Sequence, residues 1–368
     1  MGGSCTGAIA RRWGWIGPGG LAGLQNRVGG ASGGSGGFDS HTLPPWADGA
    51  GCIWPPLPMA IRPWLSHIPH SVTTLLLVNP AAGRGRALRL AETALAACRA
   101  AWGEVEYRET TAPGAAVGLV REAVEHGAER VLVLGGDGSL HEAANGLLTA
   151  RVERRPPISV IPAGTGNDFA KLVGTVGLDP PRAIAGLASG RIRQLDVGEA
   201  WGEYFLNSVG IGFDAEVARQ VQLATRLSGL PAYLVAVGKV IRRFTARTLQ
   251  LASEEVSFSE RLLLVEVGVG PIVGGGFRLT PDAQPDDGLF DICAIREQST
   301  LGILTKVPLA IFGWHTRLEA VRCFRTAALT IRAAGDGLAA QFDGELRNGG
   351  NEMHLRIVPL ALPVLVCQ

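Results

Sequence analysis

The sequence lacks the cysteine pattern and the charge bias that would assign it to several common protein classes. No two of its six cysteines form a CxxC pair, and their irregular spacing argues against a zinc site and a disulfide framework. The formal net charge of +1 gives no bias toward nucleic acid. We therefore expect a protein of a reducing compartment, cytoplasmic, with no nucleic-acid partner. The cysteines are Cys5, Cys52, Cys98, Cys293, Cys323 and Cys367.

Long apolar runs and the common nucleotide motifs are also missing. No stretch reaches the ~18 apolar residues of a membrane span. The apolar stretch from Ile357 to Cys367 is short and interrupted by Pro359 and Pro363, which favours a buried terminal strand. There is neither a GxxxxGK[ST] loop nor a GxGxxG turn between a strand and a helix. These absences exclude the P-loop and dinucleotide fingerprints, but not nucleotide binding by another loop.

Residues 1–70 are rich in Gly, Pro and Trp and show no periodicity. The segment GGASGGSGG at 29–37 has the composition of a flexible linker, so we predict a disordered leader. Two other interpretations stay open. The start, MGGSCT, matches an N-myristoylation pattern with Cys5 as a palmitoylation candidate. Alternatively, Met59 is the true start and the preceding residues are an upstream extension of the reading frame.

From Val72 onward the pattern alternates between buried strands and amphipathic helices, which predicts a parallel sheet with helices on both faces. Ligands of such sheets bind at the carboxyl ends of the strands. We predict a domain at 71–200 with strands up to Val78, at 104–108, at 131–134 and at 158–161, and with helices around 87–98, at 115–126, at 139–148 and from Asp168.

Three unusual loops follow these strands. The first, NPAAGRG at 79–85, could admit an anion to backbone N–H groups, although any tight strand-to-helix turn needs glycine. The second, LGGDGSLHEAANG at 134–146, places Asp137 among three glycines, where a carboxylate can hold magnesium. Ser139 and Glu142 there predict a capping box, a purely structural role. In the third, IPAGTGNDFA at 161–170, Thr165 could bind phosphate, and Asn167 or Asp168 could cap a helix.

In this order and spacing, the three loops resemble the diacylglycerol kinase catalytic-domain family, and most closely its soluble bacterial lipid kinases, which are related to sphingosine and ceramide kinases. The resemblance extends over residues 72–368 through FLNSVGIGFDAEVAR at 205–219, GGGFRLTPDAQPDDGLFDI at 274–292 and FDGE at 342–345. It implies a kinase that transfers phosphate from ATP, with Mg²⁺, to a lipid hydroxyl. The nucleotide-binding residues it implies are Asn79, Pro80, Gly83, Thr110, Gly135, Gly136, Asp137, Gly138, Ser139, Glu142 and Thr165.

The resemblance also assigns roles outside the nucleotide loops. Glu345 would act with Asp137 as a catalytic residue, as the general base on the lipid hydroxyl. Gln284, Asp287 and Leu289 would hold a structural magnesium ion, although DDG at 286–288 is also an ordinary turn and Asp343-Gly344 an ordinary hairpin signal. The chain departs from the family pattern at three places, which are Ala82, Ser139 and Pro271-Ile272.

After Arg193 the alternation stops, and short strands predict a β-rich antiparallel sandwich at 201–368. The resemblance implies that this domain binds the lipid. The stretch from Arg219 to Arg247 carries six basic residues and no acid, which fits either a basic amphipathic helix on an anionic membrane or a solvated helix packed on the sandwich. The fold predicted is thus an α/β nucleotide-binding domain with a parallel sheet, then a β-rich domain with a helical insertion. A peripheral position at the membrane and a homodimer are left as expectations.

Two other functions compete with a lipid kinase. One is a kinase of a soluble acceptor, such as an NAD kinase, which shares a GGDG loop. The other is a non-catalytic module that binds lipid and nucleotide, although binding alone would not need Glu345. The acceptor lipid is not readable from the pattern: diacylglycerol, a sphingoid base, ceramide, phosphatidylglycerol and a polyprenol all stay open.

Overall fold

The structure is a computed structural model that describes residues 74–223, 229–335 and 337–368. The predictions made for the leader at 1–70, including Cys5 and Met59, and the part of the basic stretch around Arg226 lie outside these residues. The described residues belong to one compact unit. Within them, no helix is both long and apolar enough to cross a membrane.

The first half of the described chain alternates strands and helices, as predicted. Its four strands are fully parallel, in the spatial order β2-β1-β3-β4. Apolar side chains alternate between the two faces of the sheet, because successive residues of a strand point to opposite sides. The elements are β1 (Thr74–Val78), α1 (Ala82–Trp102), β2 (Val105–Glu109), α2 (Ala115–Glu125), β3 (Val131–Gly135), α3 (Asp137–Thr149), β4 (Ile158–Pro162), α4 (Asp168–Val173) and α5 (Pro180–Ala188).

Each face of this sheet is covered by its own helices. Leu76 and Leu132 belong to one apolar cluster, with residues of α1 and α5. Leu75 and Val133 belong to the other, with residues of α2, α3 and α4. Because both faces are buried at β1, β3 and β4, these strands consist mostly of Val, Leu and Ile, whereas the edge strand β2 is half-buried and carries Glu, Tyr and Arg. Polar loops emerge at the carboxyl ends of the strands.

The second half is built mostly from antiparallel strands. Its core includes the fully buried Phe205, Phe290 and Phe342, in which the Phe205 ring stacks on Phe290 and meets Phe342 edge-on. The elements are β5 (Arg191–Ala200), β6 (Glu203–Phe205), β7 (Ser208–Gly212), α6 (Phe213–Gln222), α7 (Gly229–Val240), β8 (Arg247–Ala252), β9 (Ser257–Gly268), β10 (Phe290–Arg296), α8 (Thr300–Phe312), a 3₁₀ helix (Trp314–Arg317), β11 (Val321–Thr326), β12 (Ala328–Ala333), β13 (Ala339–Phe342), β14 (Glu345–Asn348) and β15 (Glu352–Val366).

The last strand joins the two halves. β15 pairs antiparallel with β12 and β5, and at Val364 it pairs parallel with Ile158 of β4. The prediction of a buried terminal strand is confirmed, and its apolar composition follows from burial in both halves. The register shifts between Val358 and Leu362, where Leu360 has φ 49°. One sheet therefore runs through the whole described chain, and the predicted division near residue 200 stays a prediction.

The basic stretch from Arg219 to Arg247 is not one helix, so the expectation of a single helix was wrong, whereas the packing of its second helix, α7, on the β-rich half agrees with one of the two alternatives. Arg219 lies near the end of α6, where it pairs with Glu216 of the preceding turn. In α7 the only basic residue is Lys239, near the C-terminal end, and Arg247 already begins β8. Apolar burial decides the helix faces here, with Val237 and Val240 packing on β9 residues, while the charges collect at the helix ends.

Candidate active site

Three loops meet at the carboxyl edge of the parallel sheet, where the sequence predicted a phosphate-binding region. The Asn79 side chain links the first two loops, because its amide donates a hydrogen bond of 2.8 Å to Ser139 Oγ. Its side-chain oxygen accepts the N–H of Ala81 at 3.0 Å, which shapes the first loop. The third loop is held to the second by Ala163 and Gly164, whose N–H groups both donate to Gly135 O.

Close backbone approach explains two of the glycines. Gly83 has φ 56°, and a Cβ there would collide with the carbonyl oxygen of Ala163. A Cβ on Gly164 would come within 2.5 Å of Gly136 Cα. The glycines therefore let the three loops touch, in addition to any approach of a ligand.

Asp137 is the first residue of α3, at the centre of the loops. Its Oδ1 accepts the N–H of Phe169 at 3.1 Å, so this carboxylate caps α4. Burial and the nearby charge of Asp168 raise the pKa of Asp137 to about 6, although backbone hydrogen bonds oppose the shift. A buried carboxylate with a raised pKa is stabilised in its charged form by a nearby cation or hydrogen-bond donor, and such shifts are common at phosphate and metal sites.

The predicted helix caps were wrong in detail. α3 begins at Asp137, two residues before Ser139, so Ser139 and Glu142 do not form a capping box. Glu142 instead caps α2: its Oε1 accepts the N–H of Gly114 at 2.8 Å, and its Oε2 accepts that of Ala116 at 3.3 Å. A carboxylate that reaches another helix satisfies the same orphan N–H groups as a local cap would.

The third loop also differs from the predicted capping. Asn167 donates to Gly164 O at 3.0 Å. Asp168 bridges Lys171, at 2.6 Å, and the N–H of Gly275, at 2.8 Å. Asp168 therefore connects the third loop to the glycine turn of the second half.

Glu345 lies directly against the second loop, although about 200 residues separate them in sequence. A Cβ placed on Gly138 would be 2.5 Å from Glu345 Oε1. Glu345 begins β14, which forms a hairpin with β13 across the turn at Asp343 and Gly344. The hairpin was predicted from that dipeptide, and folding brings its acid to the cleft that Asp137 also lines.

Asp343 is the anchor of this hairpin, and sequence analysis missed its role. Its carboxylate accepts three backbone N–H groups, those of Leu206 (2.8 Å), Asn207 (2.8 Å) and Ser208 (3.0 Å). It also contacts His141 Nδ1 at 2.8 Å. Asp343 has φ 49°, a left-handed conformation that Asp tolerates. The interpretation of Asp343-Gly344 as an ordinary turn explains the backbone but not these contacts.

His141 is a second missed residue, buried between the two halves. Its Nδ1 faces Asp343 and its Nε2 faces Glu203 at 2.7 Å. Burial alone would lower the pKa of His141, but hydrogen bonds and charges from both carboxylates outweigh it and raise it to about 9. Since both partners only accept, both ring nitrogens must donate, so the imidazole is a cation at neutral pH. It fastens α3 to the hairpin that carries Glu345.

The far end of the cleft holds a buried polar group around Asp214. Its carboxylate accepts from Gln341 Nε2 at 2.9 Å and from the hydroxyl of Tyr233. Burial raises the pKa of Asp214 to about 6, and Gln341 opposes that shift. Burial and Asp214 raise the pKa of the neighbouring Glu266 well above its usual range. The sequence analysis included Asp214 in the stretch FLNSVGIGFDAEVAR but assigned it no role.

A narrow apolar cavity of about 80 Å³ adjoins this end of the cleft. Asp214 and Tyr233 line both spaces. The other lining residues are mostly aliphatic and aromatic and come from α6, α7, α8 and the strands beside them. The cleft thus passes from a polar, glycine-rich end into apolar surroundings.

The cleft itself has a volume of about 690 Å³ and collects most of the predicted residues. Gly135 is the buried last residue of β3 and does not line the cleft. The predicted residues that line it are Asn79, Pro80, Gly83, Thr110, Gly136, Asp137, Gly138, Ser139, Glu142, Thr165 and Glu345.

The predicted magnesium ligands lie outside this cleft. Asp287 accepts the N–H of Leu289 at 3.1 Å and pairs with the guanidinium of Arg325, and Gln284 is exposed. Asp196 shapes their loop by accepting the N–H of Gly288 at 2.7 Å. Among the described residues, no three His, Cys, Asp or Glu side chains converge as metal ligands.

Two family models match this chain, one in its α/β half and one in its β-rich half. The family model described as the diacylglycerol kinase catalytic domain matches residues 73–200. The family model described as the YegS C-terminal NAD kinase beta sandwich-like domain matches residues 207–366. Together they span nearly all of the described residues.

Individual relatives agree with the family models. The chain is 29% identical over 242 residues to "Diacylglycerol kinase" of Bacillus subtilis (strain 168), covering 65% of this chain and 79% of that protein. It is 32% identical over 275 residues to "Probable lipid kinase YegS-like" of Pseudomonas aeruginosa PAO1, covering 74% and 87%. Its fold matches a crystal structure titled as a diacylglycerol kinase from Bacillus anthracis str. Sterne, with a TM-score of 0.61, 20% identity and coverage of 80% and 97%.

Proposed function

The chain belongs to the diacylglycerol kinase catalytic-domain family of soluble bacterial lipid kinases, and from this premise we propose that it transfers the γ-phosphate of ATP to a lipid hydroxyl with the help of Mg²⁺. The observation that carries the proposal is the approach of Glu345 to Gly138. With Glu345 as the base, this approach supports the proposal, because phosphoryl transfer uses a phosphate-binding loop together with a carboxylate that accepts a proton from the acceptor or orients it.

The nucleotide would lie along the three loops. Asn79, Gly83, Thr110 and Thr165 line the polar end of the cleft, where exposed backbone N–H groups and hydroxyls can hydrogen-bond phosphate oxygens. The N-terminus of α3 points its positive end to the same space. Positioning and charge stabilisation are the main tasks of a phosphotransferase site, and this end supplies both.

Glu345 would act on the acceptor. A lipid hydroxyl is a poor nucleophile until its proton has an acceptor, and a carboxylate at the cleft can take that proton as the oxygen attacks phosphorus. The hairpin that carries Glu345 is fastened by Asp343 and His141. These two residues would position the base and would not touch the substrate.

A magnesium ion fits the cleft better than it fits the loop at 284–289. Mg²⁺ is usually held by one or two carboxylates together with substrate phosphates, and it neutralises charge on the phosphoryl oxygens. Asp137, with its raised pKa, is suited to be such a carboxylate. At the other loop, a metal would have to replace Arg325 as the partner of Asp287. A structural magnesium held by Gln284, Asp287 and Leu289 therefore stays a prediction.

The acceptor is proposed to be a lipid because the cleft opens onto apolar surroundings. The cavity beside Tyr233 has room for only a short part of an acyl chain, so α7 and α8 would have to part for a longer one. The departure at Pro271-Ile272 lies at this end, where Asn207 Nδ2 donates to Ile272 O at 2.6 Å. Acceptor choice would therefore be set by the turn at 271–276, together with the residues of α7.

Peripheral membrane contact would occur through α7, α8 and the turn after α8. α8 has no buried residue, and Leu301 is 71% exposed, Phe312 61% and Trp314 58%. Leu234 and Val235 of α7 are exposed as well. An apolar surface beside the acceptor cavity suits an enzyme that takes its substrate from a bilayer. The proposed place of action is the cytoplasmic membrane surface, and a homodimer stays a prediction.

The test is transfer of radiolabelled phosphate from ATP to a panel of acceptors in mixed micelles. The panel holds diacylglycerol, a sphingoid base, ceramide, phosphatidylglycerol, a polyprenol and, as the soluble alternative, NAD. We expect at least one lipid to be labelled when Mg²⁺ is present, and NAD not to be labelled. Labelling of NAD alone would replace the proposal by a soluble-acceptor kinase. Nucleotide and lipid binding with no labelled product would leave a non-catalytic module.

A further inference from the structure

A second large cavity, of about 930 Å³, lies in the β-rich half. It is bounded by α6, the end of α7 with the turn that follows, β8, and the β13–β14 hairpin. Its lining shares no residue with that of the cleft described above. Its volume is within the range of small-ligand sites.

The lining of this basic cavity is strongly positive. Against a net charge of +1 for the whole chain, it gathers six cationic side chains and a single acid, Glu216, among the described residues. Like charges brought together repel one another, so an anion that enters gains attraction from several of them. The cations are Arg219, Lys239, Arg242, Arg243, Arg247 and Arg347.

Half of these cations already have protein partners. Arg219 pairs with Glu216 at 2.5 Å, Arg347 with Glu203 at 2.6 Å, and Arg247 donates to Gly337 O at 3.2 Å. The charged side-chain groups of Lys239, Arg242 and Arg243 make no hydrogen bond or ion pair with any described residue, although the backbone N–H of Arg243 donates to Val240 O. These three come from the last turn of α7 and the turn that follows, so they reach the cavity from one side.

We propose that this basic cavity binds a phosphate group, carried either by an acidic phospholipid headgroup or by a soluble phosphate compound. Guanidinium groups match phosphate oxygens with two parallel N–H donors, and an ammonium adds a point charge. Arg242 and Arg243 with Lys239 supply both kinds of donor. Leu249, Leu262 and Leu338 on the inner wall give the ligand an apolar surface as well.

The cavity lies back to back with the cleft. α6 turns Ala218 and Gln222 to the cleft and Arg219 and Gln220 to the cavity. β14 likewise carries Glu345 at the cleft and Arg347 at the cavity. A phosphate bound here would therefore sit on the same hairpin as the proposed base, without occupying the nucleotide loops.

The test uses binding, so it does not depend on the proposed kinase activity. The cavity variant is Arg242→Glu/Arg243→Glu, and the matched control is Arg121→Glu/Arg154→Glu, which makes the same charge change at exposed arginines outside the cavity. Full-length wild type and both variants are titrated with inorganic phosphate by calorimetry. They are also floated with vesicles of phosphatidylcholine, with and without phosphatidylglycerol. Any phosphate held by the cleft is common to all three proteins and cancels.

We expect the cavity variant to lose affinity by about tenfold or more for inorganic phosphate, for phosphatidylglycerol vesicles, or for both. The control should bind as tightly as wild type. Loss for the vesicles identifies a lipid headgroup as the source, and loss for phosphate alone a soluble compound. Binding by the cavity variant equal to wild type, or an equal loss in the control, would overturn the proposal. If the cavity variant melts early, Arg242→Gln/Arg243→Gln takes its place and is judged by the same outcomes.

Discussion

The two sides of the cleft are held by different forces. The side that we propose to bind the nucleotide, called the nucleotide side, consists of loops packed backbone to backbone, with glycines at the contacts and short polar links such as that of Asn79 to Ser139. The side that carries Glu345 is held by buried charges, with His141 between Asp343 and Glu203. The residues that form each glycine loop are neighbours in the sequence. The buried ion pairs around His141 join residues up to about 200 positions apart in the sequence. The stability of this side should therefore depend on pH and on substitutions that change a single charge.

The strongest test of the nucleotide side is Asp137→Asn. Asn keeps an oxygen that can cap α4 at Phe169, but it loses the negative charge. We expect turnover to fall by about a thousandfold, as for loss of one major electrostatic contact in a transition state. The melting temperature should change little. Turnover above about a tenth of wild type would remove Asp137 from the phosphate or magnesium chemistry.

Glu345→Gln tests the opposite side and should have the next largest effect. A base at the acceptor is typically worth ~10²–10⁴-fold in rate, so turnover should fall at least about a hundredfold. ATP affinity, measured by calorimetry, should stay near wild type because Asn79 and Thr165 are untouched. Glu254→Gln, at an exposed position, serves as control. An equal loss of ATP affinity would move Glu345 into the nucleotide site.

Gly138→Ala tests whether the two sides really touch. The added Cβ would lie 2.5 Å from Glu345 Oε1, so the carboxylate must move away. A displacement of this size should lower turnover by about tenfold to a hundredfold. Gly118→Ala is the matched control, since a Cβ on this helical glycine meets nothing within 4 Å. It should leave turnover unchanged and stabilise α2 by about 0.5–1 kcal/mol. Equal turnover in both variants would contradict the contact.

His141 should make stability depend on pH. Its pKa rises from 6.5 to about 9 on folding, so its stabilisation is complete below pH 6.5 and is lost as pH rises through 9. The pKa of Glu203 falls to about 2, because the bonds from His141 and Arg347 outweigh its burial, so its contribution is lost only as pH falls toward 2. The free energy of unfolding should therefore decrease between pH 7 and 10 by up to about 3 kcal/mol.

His141→Asn is the variant that checks this linkage. Urea unfolding at pH 6.5 and pH 10 should show the decrease in wild type and lose most of it in the variant. His354→Asn, at an exposed histidine, should behave as wild type. A decrease that persists in His141→Asn would assign the pH dependence to other groups and leave the hairpin without its proposed fastening.

Several features of the site could be predicted from neighbouring residues alone. Buried apolar strands followed by glycine loops predicted the parallel sheet, and the loops at Asn79, Asp137 and Thr165 meet where parallel strands end. Helix capping could not be predicted in the same way. Ser139 and Glu142 have the spacing of a capping box, yet Glu142 reaches α2 because that helix packs on α3. Local sequence patterns identify side chains that can cap a helix, but the packing of the helices decides which helix each side chain caps.

The sequence by itself determined the alternation of strands and helices in the first half, the family and the positions of the three glycine loops, because glycine turns and hydrophobic periodicity act over a few residues. The tertiary structure alone decided that Glu345 faces Gly138, that His141 is a buried cation and that scattered arginines form one basic cavity. The physical reason is that a buried charge needs a partner, while the sequence around His141 or Asp343 does not say which distant carboxylate or N–H group will supply it. That choice is made only when β-strands far apart in the chain pair and bring the groups within hydrogen-bonding distance.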